Sequence, residues 1–363
     1  MSLRPTAVTG SFLGVLALVL TAAPASPATP TPPGTLAPAS PAPAASAPAP
    51  VPAPGTPVPT PTPPPAPTLP PAPEAPVVPA APDAPVPPEV PLPGTHLPDA
   101  YLPDGVVPVA HRGASAYAPE NTLAAADKAD QLGIAWVEND VQRSKDGELI
   151  VLHDETLKRT TNVEEVFPDR APWKVADFTA AEIDQLDAGA WFGEEYAGEG
   201  VPTLSEFLDR MSANQQKLLL EIKKPELYPG IERDILKELG NEGWLDRQHL
   251  RSRLVIQTFD AASLRRVHDL NPAVKTGFLG TPAVAELPDY AAFADQINPR
   301  FTTVTAAYVD AVHATPGASG QPLELFTWTV DDAETATRMA DLGVDGIISN
   351  RPDVIRDAVR GRD

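Results

Sequence analysis

The chain has 363 residues, of which 47 are proline and none is cysteine. Its formal net charge of −21 disfavours nucleic acids and anionic membranes as partners, because a generally acidic surface attracts neither. Without cysteine, the fold must be stabilised by a hydrophobic core rather than by disulfide bridges.

Residues 1–25 have the pattern of a secretory signal peptide. Arg4 supplies a basic start, residues 12–20 form a short apolar run, and residues 23–25 (Ala-Pro-Ala) form a small-residue cleavage site. The apolar run is too short to span a bilayer comfortably, and an uncleaved anchor is the alternative. We therefore expect the protein to be exported, and to be either secreted or associated with the cell envelope.

Residues 26–98 consist almost entirely of proline, alanine, threonine and valine, and they contain no lysine or arginine. Proline lacks the amide hydrogen that helices and sheets require, so this composition predicts a disordered linker with polyproline II character. The linker is either a stalk that associates with the cell wall or envelope, or an inert tail. Residues 99–363 are long enough for one α/β domain with a large core.

Within this domain, short apolar runs alternate with amphipathic stretches, which predicts βα units around a parallel sheet. The first strand is predicted at residues 106–110. It is followed by a helix that Asn121 and Thr122 cap and that runs to about residue 132. The second strand is predicted at residues 136–142. A turn at 145–147 then leads into a short hairpin strand at 149–153.

The segment at about 155–200 interrupts this alternation and contains only a small predicted helix near residues 180–186. It is predicted to be an insertion that carries specificity, with a decorative surface subdomain as the alternative. Beyond it, strands are predicted at 217–223, 254–258, 275–279, 296–298, 323–329 and 346–349, and helices at 204–211, 231–239, 261–270, 306–314, 333–342 and 352–360. About eight parallel strands predict a closed (β/α)8 TIM barrel. An open doubly wound sheet is the competing fold, but no glycine-rich nucleotide loop follows the first strand.

Three carboxylates on the predicted strands could form a metal site. Glu138 and Asp140 are two residues apart and therefore share one face of the second strand, and Glu221 comes from another strand. Oxygen ligands without a thiolate select Mg²⁺ or Ca²⁺ over zinc. The alternatives are an ion-pair network with Arg112 and Lys223, or a zinc site that uses a histidine.

Two histidines and two cations lie at the ends of the same strands. His111 and His153 suit acid–base catalysis, because an imidazole with a pKa of about 6.5 can gain or lose a proton at neutral pH. Arg112 and Lys223 could bind phosphate oxygens, or they could neutralise the carboxylates. Asp154, beside His153, could pair with a basic group or organise the loop.

Seven short motifs occur in order between residues 107 and 360, and together they resemble the glycerophosphodiester phosphodiesterase family. The motifs are HRG (111–113), PENT (119–122), E-x-D (138–140), HD (153–154), EIK (221–223), WTV (328–330) and DGIISNRP (345–352). The resemblance implies a TIM barrel that uses one divalent cation, Ca²⁺ or Mg²⁺. It also implies that the substrates are small-molecule glycerophosphodiesters, which are hydrolysed to glycerol 3-phosphate and an alcohol.

Carried over position by position, the resemblance implies a role for each polar residue. The implied metal ligands are Glu138, Asp140 and Glu221. The implied general base and general acid are His111 and His153. The implied substrate-binding residues are Arg112 and Lys223 at the phosphate and Trp328 at the glycerol, although Trp328 could also be an ordinary core residue. The implied supporting residues are Glu120, near the metal or the His111 loop, and Asp154.

The implied chemistry passes through a cyclic phosphate formed by attack of the glycerol 2-hydroxyl. A related barrel phospholipase acting on lysophospholipid or sphingomyelin headgroups is the nearest alternative. A catalytically inactive, wall-tethered binding protein is the alternative from a different class. Asn350 stands where the family motif usually has an acidic residue, and Asn139, between two predicted ligands, is expected to make a local solvent contact.

Overall fold

A computed structural model describes residues 105–360. The predicted signal peptide and the predicted linker lie outside the described residues. Within residues 105–360, no helix combines the length and the apolar character needed to cross a bilayer.

Eight parallel strands close into a barrel, which confirms the predicted (β/α)8 architecture. The nine strands are β1 (Val107–Ala110), β2 (Trp136–Arg143), β3 (Leu149–Val151), β4 (Lys217–Ile222), β5 (Leu254–Thr258), β6 (Lys275–Leu279), β7 (Gln296–Asn298), β8 (Glu324–Thr327) and β9 (Gly346–Ser349). Strand β1 pairs in parallel with both β2 and β9, and these two ladders close the barrel. Strand β3 is outside the barrel and pairs antiparallel with β2, as the hairpin prediction required.

Most helices follow the strands as the hydrophobic periodicity predicts. They are α1 (Leu123–Gln131), α2 (Val163–Val166), α3 (Ala180–Ile183), α4 (Leu204–Ala213), α5 (Ile231–Asn241), α6 (Arg247–Ser252), α7 (Ala261–Leu270), α8 (Leu287–Ala291), α9 (Ala306–His313), α10 (Ala333–Asp341) and α11 (Pro352–Val359). The short helices α2, α6 and α8 were not predicted, and α2 is only four residues long. Helix α6 buries none of its residues and α8 has a proline in its first turn, so neither produces a helical apolar pattern.

The barrel interior changes from apolar to polar along the strands. One buried layer of the interior consists of Val109, Leu219, Val255, Phe326 and Ile348. Residues two positions further along a strand face the same side. Two positions beyond those five residues are Glu221 and Gln257, within their strands, and His111, Trp328 and Asn350, which directly follow theirs. The apolar layer therefore closes the barrel below a polar rim at the carboxyl ends of the strands, where barrels of this type carry their chemistry.

The insertion at 155–200 has its own small hydrophobic cluster and is bonded to the first βα segment. Leu157, Val175 and Phe178 are fully buried within this cluster. The Tyr196 hydroxyl donates to the Tyr117 carbonyl oxygen at 2.8 Å, and the amide of Ala124 donates to the Glu199 carboxylate at 3.0 Å. The insertion is thus fastened to the segment that carries the HRG and PENT motifs.

The predicted solvent contact of Asn139 is wrong. The residue is 0% exposed, and neither polar atom of its side chain has a hydrogen-bond partner among the described residues. Strand β2 pairs with β1 on one side and β4 on the other, and the outer face of such a strand is covered by helices rather than by water.

Candidate active site

The HRG motif forms a tight turn, and two backbone amides of this turn donate hydrogen bonds to Glu138. Arg112 and Gly113 both have left-handed backbone angles, with φ of 57° and 79°. The Arg112 amide donates to Glu138 Oε2 at 2.8 Å, and the Gly113 amide donates to the Glu138 carbonyl oxygen at 3.2 Å. A Cβ on Gly113 would lie 2.6 Å from the backbone carbon of Ala125 in α1, so only glycine fits here.

Strand register brings the three predicted metal ligands together. Asp140 on β2 lies directly beside Glu221 on β4, and Glu138 precedes Asp140 on the same face. One oxygen from each of the three side chains lies within 4.8 Å of the others. The side chain of Asn121 holds Asp140 from both sides, donating to Oδ2 at 2.8 Å and accepting from the backbone amide at 3.2 Å.

Burial of three carboxylates in one cluster disfavours the ionised form of two of them. Burial and the charges of Asp140 and Glu221 raise the pKa of Glu138 well above its usual value. Burial and the charge of Asp140 raise the pKa of Glu221 to about 8. Burial also opposes ionisation of Asp140, but Lys223 and Arg112 hold its pKa below the usual range. A cation bound among the three carboxylates would stabilise the ionised forms that burial disfavours.

This cluster is suited to a divalent cation. Oxygens bound to one Ca²⁺ at about 2.3–2.6 Å can lie about 5 Å apart, and those bound to one Mg²⁺ at about 2.0–2.1 Å can lie about 4 Å apart. The three ligand oxygens here all lie within 4.8 Å of one another, which is the separation that a single bound Ca²⁺ requires of its ligands. Asp140 Oδ1 is buried and accepts no hydrogen bond from the described residues, although Lys223 Nζ lies 3.4 Å away. Within residues 105–360, no other group of three histidine or acidic side chains has this geometry.

His111 is oriented by a neutral amide. Its Nδ1 lies 2.7 Å from Asn350 Oδ1, and the Asn350 amide nitrogen donates to Asp331 Oδ2 at 2.8 Å. Because Asp331 can only accept, the Asn350 oxygen must face His111, and His111 Nδ1 must carry the hydrogen. Burial and the charge of Arg112 lower the pKa of His111 to about 4. The neutral ring therefore has Nε2 free to accept a proton.

His153 is oriented by a carboxylate. Its Nδ1 lies 2.7 Å from Asp154 Oδ1, which leaves Nε2 as the free ring nitrogen. The buried side chain of Gln142 holds the surrounding backbone, donating to the carbonyl oxygens of Leu152 and Asp154 at 2.7 Å each. Burial lowers the pKa of His153, and the charges of Lys223 and Arg112 lower it further. The charge of Asp140 and the hydrogen bond to Asp154 oppose that shift but do not cancel it.

The two predicted phosphate-binding cations pair with carboxylates in the structure. Arg112 lies 2.8 Å from Glu120 and 3.4 Å from Asp140, and Lys223 lies 2.6 Å from Glu221 and 3.4 Å from Asp140. This is the ion-pair network that the sequence allowed as an alternative. Both cations also border the cleft, so pairing with the carboxylates does not prevent contact with an anion.

One cleft of about 120 Å³ collects these residues at the carboxyl end of the barrel. It is lined by His111, Arg112, Glu138, His153, Glu221, Lys223, Gln257, Phe259, Leu279, Trp328, Thr329 and Ile348. Trp328 follows β8, donates from its indole nitrogen to the Asn298 carbonyl oxygen at 2.9 Å, and contacts Phe259 edge to face. The cleft thus has a charged side and an aromatic side.

Sequence reasoning missed several contributors to the site. Asn121 was assigned only to the start of a helix, yet it holds Asp140, while Thr122 is the capping residue. Asp331, Arg159 and Phe259 were not singled out. Arg159 follows the HD motif by five residues and bonds one carboxylate of that motif and one of PENT, but no spacing in the sequence predicts these bonds. The sequence likewise carries no signal that links Asp331 to Asn350.

Comparisons with known proteins agree with this geometry. Residues 111–354 match the model of the glycerophosphoryl diester phosphodiesterase family. A glycerophosphodiester phosphodiesterase of Caldanaerobacter subterraneus subsp. tengcongensis is 38% identical over 256 residues, which are 69% of this chain and 97% of that protein. A glycerophosphodiester phosphodiesterase of Bacillus subtilis is 34% identical over 273 residues, which are 71% of this chain and 88% of that protein. The structure of an Oleispira antarctica phosphodiesterase was solved with the product sn-glycerol-3-phosphate. It is 28% identical, has a TM-score of 0.57, and the match covers 71% of this chain and 98% of that chain.

Proposed function

This chain belongs to the glycerophosphoryl diester phosphodiesterase family and is a phosphoric diester hydrolase, and we propose that it cleaves its substrate by metal-assisted catalysis with two histidines. The substrates are glycerophosphodiesters, and the products are glycerol 3-phosphate and an alcohol. One observation carries the proposal: His111 and His153 line the same cleft, and each has Nδ1 engaged, which leaves Nε2 for proton transfer.

In the first step, His111 is the general base. Its Nε2 takes the proton from the glycerol 2-hydroxyl, and the hydroxyl oxygen forms a bond to phosphorus. The bond from phosphorus to the alcohol oxygen breaks, and His153 Nε2 donates a proton to that oxygen. The products of this step are a free alcohol and a cyclic glycerol phosphate.

In the second step, the histidines exchange roles. His153, now neutral, takes a proton from water as the water oxygen bonds to phosphorus. His111, now protonated, returns its proton to the glycerol 2-oxygen as the cyclic phosphate opens. The step releases glycerol 3-phosphate and restores both side chains to their starting state.

Charge at the phosphate is balanced by the cationic side of the cleft. Arg112 and Lys223 bind the non-bridging oxygens, for which a guanidinium fork and an ammonium point charge are both suited. Glu138, Asp140 and Glu221 would hold a divalent cation, Ca²⁺ or Mg²⁺, which when bound supplies Lewis-acid stabilisation of the charge that develops at phosphorus. Trp328 is proposed to contact the glycerol.

A panel of glycerophosphodiesters tests the proposal. The expected result is release of glycerol 3-phosphate that stops with EDTA and returns when Ca²⁺ or Mg²⁺ is added back. E221Q removes one ligand charge and should lower activity about 10²–10³-fold at any metal concentration, since metal assistance is worth several kcal/mol. Full activity in EDTA would contradict metal assistance, while full activity of E221Q would contradict this ligand set.

Two other functions are separated by the same assay. A barrel phospholipase would prefer lysophosphatidylcholine over glycerophosphocholine. An inactive binding protein would release no product from any diester with either metal. Both predicted histidines and both predicted cations line the cleft, and the chain is 38% identical to a glycerophosphodiester phosphodiesterase. Both observations favour the proposed activity.

We also propose that the protein is exported, by the signal pattern of residues 1–25, and that residues 26–98 associate with the cell envelope. The support is the sequence composition alone. Cell fractionation of the full chain and N-terminal sequencing of its mature form test this proposal. Recovery of the intact N-terminus from the cytoplasm would contradict it.

A further inference from the structure

Arg159, in the loop that begins the insertion, donates four hydrogen bonds to two carboxylates. Its Nε and Nη2 donate to Asp154 at 2.6 and 2.9 Å. Its Nη1 and Nη2 donate to Glu120 at 2.8 Å each. The planar guanidinium therefore binds both carboxylates at two points, a geometry that a lysine cannot reproduce.

Each of these carboxylates holds a residue of the cleft. Asp154 Oδ1 lies 2.7 Å from His153 Nδ1, and Glu120 Oε1 accepts from Arg112 Nη1 at 2.8 Å. Arg159 thus completes a continuous chain of contacts that begins at the barrel turn with Arg112 and ends at the ring of His153. Through Glu120, this chain fastens a histidine that follows β3, outside the barrel, to the barrel itself.

The charges make Arg159 necessary to this arrangement. Glu120 Oε1 and Asp154 Oδ1 both accept from Arg159 Nη2, so the two anionic oxygens are separated by less than the sum of those two short distances. Hydrogen bonding from Arg159 lowers the pKa of Asp154 to about 2, which keeps Asp154 ionised. Without the guanidinium, the two carboxylates would repel each other and Asp154 would be free to turn away from His153.

Exposure alone would suggest a surface ion pair. The side chain of Arg159 is 43% exposed, against 29% for Asp154 and 13% for Glu120. Isolated surface pairs contribute little, but bidentate geometry and membership of a network are the conditions under which they matter. Both conditions hold at Arg159.

We propose that Arg159 is a positioning residue for the reaction: it holds Asp154 in the orientation that keeps His153 aimed at the leaving alcohol. The inference rests on the proposed function, because it requires His153 to be the general acid. It assigns a catalytic role to the insertion that is separate from any contact with the headgroup.

The test compares two leaving groups in R159A. Single-turnover release of choline from glycerophosphocholine needs a proton from the acid, whereas release of p-nitrophenolate from the p-nitrophenyl glycerophosphodiester does not. Loss of a side chain that orients a metal-bound histidine typically costs about 10–100-fold in activity, and we use the same range for the orientation of His153. We expect that loss in choline release, with a loss at least about tenfold smaller in p-nitrophenolate release.

K158A is the matched control, since Lys158 is the neighbouring cation and pairs with Glu164 at 3.0 Å, away from the cleft. It should retain the wild-type rates with both diesters. R159K keeps the charge but cannot make four bonds, so it should show the same leaving-group pattern with a smaller loss. If thermal melting shows that R159A does not fold, R159K carries the test.

Equal loss with both diesters, in whichever variant carries the test, would overturn the inference and indicate a structural role. Wild-type rates with both diesters would overturn it as well. Failure of the proposed function is a different result, because the wild-type protein would then release neither alcohol.

Discussion

The two histidines of the cleft are held by different regions of the molecule. His111 follows β1 and is held by Asn350, which follows the neighbouring strand β9. His153 follows the hairpin strand β3 and is held by Asp154, which Arg159 of the insertion holds in turn. The first histidine is oriented by the strand register of the barrel, and the second by side chains of connecting segments.

The chemical difference between the partners corresponds to the two proposed roles. The Asn350 oxygen is neutral and orients His111 without strongly favouring the imidazolium form. Burial lowers the pKa of His153 below its usual value, and the hydrogen bond to the Asp154 carboxylate acts against that shift by favouring the imidazolium form. Because an acid must begin protonated and a base neutral, the carboxylate partner suits His153 better to the acid role, and the neutral amide partner suits His111 better to the base role.

The largest expected effect comes from removing each histidine. H111A and H153A should each lower turnover of glycerophosphocholine about 10²–10⁴-fold, the usual contribution of a general acid or base. With the p-nitrophenyl diester, single-turnover alcohol release should recover in H153A but not in H111A, because only the acid becomes dispensable. H268A, which alters a histidine of α7 that does not line the cleft, is the control. Equal recovery in both variants would contradict the assignment of His111 as the base and His153 as the acid.

A second prediction concerns the stability of the barrel side. G113A should lower the free energy of unfolding by about 2–4 kcal/mol, from the left-handed angle and the contact with α1 together. G147A is the matched control, because Gly147 also has a positive φ but has no atom within 4 Å of a built Cβ. Urea unfolding of both variants measures the difference. Similar losses would show that the contact with Ala125 is unimportant.

Exchanging the amide and the carboxylate behind His111 should change its titration. In the double variant N350D/D331N the net charge is unchanged, but a carboxylate now faces His111 and raises its pKa, because a nearby negative charge favours the imidazolium form. Because the base must be neutral, the acidic limb of the kcat/KM profile should move to higher pH. An unshifted profile in the double variant would mean that His111 is not the base.

D154N is the matching change on the acid side. It removes the carboxylate behind His153, so the basic limb of the kcat/KM profile of this variant should move to lower pH.

The smallest expected effect is a gain in stability from the barrel wall. Asn139 is buried and neither polar atom of its side chain has a hydrogen-bond partner among residues 105–360. N139V removes the polar group at similar size and should raise the free energy of unfolding by about 1 kcal/mol. N139D should lower the free energy of unfolding, because it places an unpaired charge in the buried outer face of β2. Chemical unfolding of both variants measures these changes, and destabilisation by N139V would show that the amide has a partner.

Local patterns in the sequence were sufficient for the strands and for much of the site. Alternation placed Glu138 and Asp140 on one face of β2, and the structure agrees. The bounds of β5, β6, β7 and β9 match the predicted ranges, since short apolar runs bounded by turns are a direct signal. Helix α6 escaped prediction because it buries no residue.

Contacts between loops could not be predicted in the same way. Arg159 and Glu120 are 39 residues apart, and Asn350 and His111 are 239 residues apart. Loops have no repeating geometry, so neither pair follows from spacing. Alternation correctly predicts that Asn139 points outward from β2, but the predicted contact with solvent was wrong. Burial of that outer face depends on the helices that pack there.

By itself the sequence determined the barrel, the types of residue at the strand ends and the family resemblance, because these follow from periodicity and from short motifs. Only the tertiary structure decided that Glu221 lies beside Asp140 and that one histidine is held by an amide and the other by a carboxylate. The physical reason is that strand register and barrel closure bring residues together across many intervening positions, and hydrogen bonds between side chains form only after that closure.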